Sequence, residues 1–425
     1  MVTFAVRPRV PGRKRFGGVF SGDSPTFVLL FGVGFLFTAF FRTDAWHKVL
    51  FGPSAVDFPA VLGLVLLCCA VGWRSLLRRG FVWAEPAELT WLDFTRVDRR
   101  RVVAARLAGG LSAFFVVLGY LAALMLAVGG GPPGWWRAAA AIVAGSVVLA
   151  LATARRTALR AEAAGPLVLA VAGVAISAAH LEAEAVQYVG AALAVGGLVL
   201  AFGGEAVTRA GRAVLLEGWN ARVLRSVAVT FLDPMMMLPE AAPSGSWSLR
   251  PPTPLRLAWV GAVGRSRYAG AVLLVALAVA VGHVAVPTLP SAVLVGLGAY
   301  VALTPFGAGL GVLWRNPGRR RWLGSPSWEL VLAHGVVLAG VALAWSVLLA
   351  VALLALGTAV PPLAWGTVVL AVLSVLRTVT RSPVDYSSAG FVDTPAGPLP
   401  ANLARQLFRG PDLLAAGIVV LSLVG

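Results

Sequence analysis

Few residues in this sequence could do chemistry. The only cysteines, Cys68 and Cys69, are neighbours in an apolar run, a spacing that builds neither a disulfide framework nor a metal site. His180, His283 and His334 fall near the ends of apolar stretches and His47 in a polar connection. No HExxH and no paired acids accompany them, so they read as interfacial histidines rather than metal ligands. His47 with Asp44 and Asp57, and His180 with Glu182 and Glu184, are the clusters that could serve an interfacial lipid-modifying enzyme. Isolated loop charges of this kind are ordinarily solvated. The run 129–134, GGGPPG, lacks the GxxxxGK[ST] order and the lysine that reaches phosphate, so the chain has no phosphate loop with which to hydrolyse ATP. One pattern occurs twice: Trp91-Leu92 followed by Asp98, and Trp322-Leu323 followed by Glu329, each residue of the second set 231 positions after its counterpart.

These residues must be positioned by apolar segments. The 425 residues are 59% apolar and only 12% charged, against about 25% charged in soluble domains. That marks an integral membrane protein. A helix needs about 20 mainly apolar residues to cross the hydrocarbon. This rule predicts spans at Thr26–Phe41, Phe58–Leu77, Gly109–Val128, Ala138–Ala154, Pro166–Ala179 and Tyr188–Gly203, then at Ala269–Val286, Ser291–Trp314, Leu332–Gly357, Leu363–Leu376 and Leu413–Gly425. The expected fold is an all-α polytopic membrane protein of about 11 (11–12) transmembrane helices. Basic residues 7–15 before the first apolar run have the order of a signal peptide, but no small-residue cleavage site follows Phe41. The segment is therefore expected to stay as a first anchor.

The net charge of +17 would suggest nucleic acid in a soluble protein. Here topology accounts for it, because basic residues resist translocation. With the N-terminus cytoplasmic, every Lys and Arg except Arg42, Lys48 and Arg137 lies on the cytoplasmic side. No nucleic-acid partner is implied. No Asp, Glu, Lys or Arg falls in the middle of a predicted span, which argues against a proton-coupled carrier and an intramembrane metalloprotease, since such groups are kept for that chemistry.

Residues 204–268 divide the chain into a first half, 1–203, and a second, 269–425. The divider is an amphipathic stretch, Arg209–Leu232, followed by a Pro-rich linker, Pro239–Pro254. Its alternating basic and apolar residues suit an interfacial helix on anionic lipid. Adding 231 to the spans of the first half lands the second, third and fourth on spans of the second half, so the halves are expected to be pseudo-repeated and parallel. The eleventh span would correspond to the fifth, with a twelfth missing. Such repeats are common in transporters. Within the first loop, Pro86 and Glu88 suit a helix start, and Thr95 to Asp98 a capping box opening the next helix. In the second, Ser325-Pro326 before Trp328-Glu329 suits the corresponding start. Arginines 99–101 and 319–321 also enforce topology and meet lipid headgroups in any polytopic protein.

On AELTWLDFTRVDRRRVVAAR in the first loop, similar to a WLL-x-x-PvdR pattern, and on FVDTPAGPLP and LFRGPD between Phe391 and Asp412, the chain resembles the membrane subunits of ABC-type exporters, in particular ABC-2-like exporter permeases of actinobacteria. Thr95 and Arg96 stand where that pattern has a Ser-Pro type turn. The resemblance implies a permease of the bacterial plasma membrane without an ATPase site or cofactor of its own. It would be driven by ATP through partner ABC-type ATPase subunits. Because the spans provide few polar contacts, the expected substrate is apolar or amphipathic. Trp91, Leu92, Asp98, Arg99 and Arg100 would form one ATPase-coupling region and Trp322, Leu323 and Glu329 the other. A membrane scaffold or assembly protein without a transport cycle is the alternative.

Overall fold

Several of the chain's helices start where the sequence supplies a cap or a proline. Asp57 accepts a hydrogen bond from the Ala60 N–H (3.0 Å) and so caps Phe58–Arg78. Prolines open Pro86–Phe94, Pro133–Ala154, Pro317–Trp322 and Pro362–Val379, at the position where a missing N–H costs nothing. The structure is a computed structural model that describes residues 34, 37, 38, 40–78, 83–94, 99–154, 159–201, 211–230, 241, 253–382, 391–394, 397–400 and 408–424. In chain order its helices are α1 (Thr43–Leu50), α2 (Phe58–Arg78), α3 (Pro86–Phe94), α4 (Arg99–Gly129), α5 (Pro133–Ala154), α6 (Leu159–Ala178), α7 (Ala183–Ala201) and α8 (Arg212–Thr230). There follow α9 (Pro254–Val263), α10 (Ala269–Ala285), α11 (Ser291–Arg315), α12 (Pro317–Trp322), α13 (Ser327–Ala355), α14 (Pro362–Val379) and α15 (Pro411–Val424).

Among the described residues seven helices are long and apolar enough to cross a membrane: Val103–Gly129, Pro133–Ala152, Ala183–Leu200, Ser266–Ala285, Ser291–Arg315, Ser327–Ala355 and Pro362–Val379. Phe58–Arg74, Gly165–Ala178, Pro254–Val263 and Pro411–Leu423 are shorter apolar helices. The chain is a helical, membrane-embedded protein. Most of the expected first span, Thr26–Phe41, lies outside the described residues. The all-α expectation needs one amendment, an antiparallel hairpin of β1 (Phe391–Thr394) and β2 (Gly397–Pro400), with Phe391 opposite Pro400. Pro398 and Pro400 cannot donate to a ladder, so these strands suit an isolated edge pair rather than a sheet. Helix α9 packs on α13 with Ala258 and Ala262 buried.

In lipid, helices associate by close van der Waals contact rather than by the hydrophobic effect, and small residues let backbones touch. The tightest pair is α5 with α7. A Cβ added to Gly197 would lie 2.7 Å from the Leu149 amide nitrogen. Gly190, seven residues earlier on the same stripe, faces the Ala141 backbone in the same way. The pairs α2 with α6 and α11 with α14 are also extensive.

Two large cores result, one from α9 to α11 and α13 to α15 and the other from α2 and α4 to α7. The second core also takes in Leu274 and Val281 of α10, both buried, so the halves are fused along an α2–α10 seam. The seam is pinned at both ends. At one, the Arg74 guanidinium donates to the Arg267 carbonyl (3.0 Å); at the other, the Thr288 hydroxyl meets the Val49 and Leu50 carbonyls, both at 2.7 Å.

Candidate functional site

The first Trp-Leu pair sits on α3, which is anchored through its flanks. Trp83, just before it, is sandwiched by cations: the Arg106 guanidinium carbon lies 4.0 Å and that of Arg222 4.4 Å from its ring centroid, with Trp219 5.3 Å away. Arg106 donates to the Trp83 carbonyl (2.6 Å) and forms an ion pair with Glu88 in the first turn of α3. Asp93 near the end of α3 pairs with Arg212 of α8 at 2.7 Å. The Ala84 N–H donates to the Leu215 carbonyl (3.3 Å). Beneath, Trp73, Ala84, Leu89, Val103 and Leu215 close a small core. The expected helix start at Pro86, with Glu88 one turn on, is therefore present. Arg209–Leu232, expected to lie on lipid, contributes α8 as the other jaw of this clamp.

A clamp of this kind leaves the far face of α3 free to present side chains. Trp91 is 72% exposed and Phe94 84%, while Leu92 is half-buried. Arg99 and Arg100 open α4. Asp98, and with it the Thr95 to Asp98 capping box, lies outside the described residues.

The second pair follows the same order of parts. Trp322 ends the six-residue α12 and is 92% exposed; Leu323 is half-buried. Helix α13 begins at Ser327, directly after the Ser325-Pro326 pair expected to start it, and carries Glu329 in its first turn, half-buried. Two further matches at the 231-residue offset emerge beside Trp-Leu. Pro86 and Pro317 each start the short helix, and Trp83 and Trp314 each lie beneath an arginine, Arg320 being 4.9 Å from the Trp314 centroid. The identities at Trp83 and Pro86 are visible in the sequence once the offset is applied. Arg106, Glu88, Asp93 and Arg212 are not, because their meeting depends on helices that are distant in sequence. Among the described residues no extensive contact joins α3 to α12.

The other chemical candidates are engaged in architecture. The His47 Nδ1 meets the Val128 carbonyl at 2.8 Å, joining α1 to the end of α4. His180 lies 3.3 Å from Asp57, the same carboxylate that caps α2, so Asp57, expected beside His47, is paired with His180 across loops. His334 is buried, its Nδ1 on the Leu330 carbonyl at 2.7 Å. Its other face looks across Gly309 toward Arg265, which is also buried and donates to the Gly261 carbonyl (2.7 Å). Among the described residues no three His, Cys, Asp or Glu side chains come together as a metal site would require. Before the apolar stretch that begins at Leu413, Asp412 accepts from the Gly410 and Leu413 N–H groups and pairs with Arg377. The Gly410 bond foremost holds its carboxyl below the ordinary carboxylate range.

Comparison of the chain with models of protein families, with curated proteins and with solved structures gives no match.

Proposed function

We propose that this chain is the membrane-spanning permease subunit of an ATP-driven exporter of the ABC type, gripped by a separate ATPase at Trp91-Leu92 and Trp322-Leu323. One observation carries the reading. Two short Pro-started helices, one held by a protein clamp, each present a Trp that is 72% or 92% exposed, at the same 231-residue offset. Interface hot spots are enriched in Trp on rigid supports, and a coupling element must be stiff to pass on a push. Glu329, Arg99 and Arg100 flank these anchors, and Asp98 belongs to the first region by sequence.

In this reading the chain lies in a bacterial plasma membrane with its N-terminus cytoplasmic, eleven spans and two parallel halves. Burial supports the repeat: Leu111, Leu118 and Ala122 of α4 are buried, as are Ala342, Leu349 and Leu353 of α13 at the same offset. Leu107-Ala108-Gly109 likewise reappears as Leu338-Ala339-Gly340. That α15 leans chiefly on α14 as α7 leans on α5 supports matching the last span to the sixth of the first half as well as to the expected fifth. The substrate is apolar or amphipathic. Between the halves, Val61, Val65, Cys68, Met125 and Val286 line a recess with only apolar walls.

The test is purification from the source membrane. An ABC-type ATPase should accompany the wild-type chain, and Trp91→Ala and Trp322→Ala should each weaken the complex about 30-fold, a hot-spot loss of about 2 kcal/mol. Absence of any ATPase from the wild-type complex would refute the proposal. The second reading is a non-transporting membrane scaffold, favoured by the seam between the halves, which is packed along its length and pinned at both ends. For a scaffold, randomising residues 85–101 should leave the partners bound.

A further inference from the structure

The two loops differ in what braces them. In the first, Trp83 is enclosed by Arg106, Arg222 and Trp219 of the same chain. Trp314, its counterpart, instead forms one wall of an open recess of about 550 Å³ between α11 and α13, completed by Ser327, Trp328, Val331 and Leu332. Apart from the Ser327 hydroxyl the lining is apolar. Trp328 and Leu332 are exposed, yet this is where α11 leaves the apolar region and α13 enters it, the depth at which Trp residues meet headgroups. Arg315, Arg319, Arg320 and Arg321 follow Trp314 closely in the sequence, with Glu329 the one acid between 315 and 329. Arg320 is already placed over the Trp314 ring.

An apolar trough with the Arg320 guanidinium over one of its walls, beside a segment that carries three further arginines, is complementary to one kind of molecule. Acyl carbons fit the trough, and a phosphodiester fits the arginines, which bind phosphate through several N–H donors at once. Trimethylammonium on a zwitterionic lipid would meet this positive rim unfavourably. We propose that the α11–α13 recess binds one anionic phospholipid. Its phosphate is held by Arg320 and a neighbouring arginine of α12, its glycerol region lies beside Ser327, and its first acyl carbons lie on Trp314, Trp328, Val331 and Leu332. The lipid would brace the second loop as Arg106 and α8 brace the first.

The experiment uses the full chain in nanodiscs of phosphatidylcholine with increasing phosphatidylglycerol, extracted into mild detergent, with retained lipid counted by native mass spectrometry. One phosphatidylglycerol per chain should persist in preference to phosphatidylcholine. Each arginine near a lipid surface is worth about fivefold in affinity, so Arg319→Ser/Arg320→Ser/Arg321→Ser should lower retention by about 100-fold. Val331→Trp, which fills the trough and leaves the arginines in place, should abolish retention as well. Arg155→Ser/Arg156→Ser, in another basic stretch of the sequence, should not alter it. The proposal is overturned if phosphatidylcholine is retained equally, if the triple variant retains lipid normally, or if Val331→Trp has no effect, which would reduce the site to surface charge. Displacement by inorganic phosphate would show a free-anion site instead and also overturn it. No ATPase enters this measurement, so its outcome is independent of the docking reading.

Discussion

Arg106→Gln tests the clamp on α3 directly. The guanidinium of Arg106 makes three contacts at once, with the Trp83 carbonyl at 2.6 Å, the Trp83 ring at 4.0 Å and the Glu88 carboxylate, while its side chain is only 21% exposed. A hydrogen bond from a charged donor contributes about 1.5–3 kcal/mol and a partly exposed cation–π contact about 1 kcal/mol. The Glu88 side chain is 34% exposed, so water screens the ion pair and it adds at most about 1 kcal/mol. Loss of Arg106 should therefore weaken the local structure by about 3 kcal/mol, or about 150-fold in the opening equilibrium at 1.4 kcal/mol per decade. Hydrogen exchange with mass spectrometry on the purified chain is the assay. Amides of peptides covering 84–94 should exchange about 100-fold faster in Arg106→Gln, while those of α13 stay unchanged, because local opening does not require global unfolding. Glu88→Gln should give a much smaller effect, and the double variant should show the two to be non-additive. If exchange over 84–94 is unchanged, α3 is not held by this clamp and the rigid-coupling argument falls with it.

Other expectations follow from single contacts. Gly197→Val should lower the thermal midpoint sharply in a detergent-based unfolding assay, because its Cβ would meet the Leu149 backbone at 2.7 Å; the adjacent Gly196, with nothing within 4 Å, should tolerate the same change. Thr288→Val removes the hydroxyl that ties the α10–α11 turn to Val49 and Leu50 and should cost about 1 kcal/mol, read as faster exchange of amides 49–52. Asp412 has a lowered carboxyl pKa, so its contribution to stability is fully present above the unfolded value near 3.8 and is lost as pH falls through the lower folded value. The stability difference between wild type and Asp412→Asn should accordingly be constant from pH 7 to pH 5 and vanish on further acidification, and a difference that grows on acidification would show the opposite linkage. Single cysteines at positions 98, 329 and 137, placed in a Cys68→Ser/Cys69→Ser background, should be labelled by an impermeant reagent in intact cells at 137 alone. Labelling of 98 and 329 on opposite faces would break the parallel repeat.

Hydrophobic length was the most legible property. The spans beginning at Phe58, Ser291 and Leu363 start within a residue of α2, α11 and α14, because an apolar run bounded by proline or a capping acid leaves little freedom in where a helix begins. Span ends near arginine were less legible. Helix α13 continues from Ser327, five residues before the expected Leu332, and α4 from Arg99, ten before Gly109, since a helix runs on past the hydrocarbon and long basic side chains can snorkel. The exposed tryptophans were legible as a pair from their spacing. The clamp was not. It joins Trp83, Arg106 and Arg222, which no short-range pattern links, and the sequence view of residues 209–232 as a lipid-facing helix is what an amphipathic stretch looks like before its partner is known. The burial of Arg265 was not legible for a related reason, because it depends on α9 packing against α11 and α13.

The seam and the loops together constrain what could move. Leu274 and Val281 of α10 are buried in the core of the first half, and the bonds from Arg74 to Arg267 and from Thr288 to Val49 sit at opposite ends of the same contact. Sliding α10 along α2 would break both bonds and uncover both side chains at once, so a cycle that parts the halves there would have to overcome all four contacts in one step. Motion costs less at the periphery. Helix α3 is linked to the rest of the protein chiefly through Trp83, Glu88 and Asp93, and α12 through the short connections on either side of it. A force applied at Trp91 or Trp322 would therefore pass into α4 and α13, the long helices that follow each loop, before it strained the seam. If the chain is driven by an ATPase, α4 and α13 are the helices that should change tilt, while α2 and α10 stay paired as a fixed spine.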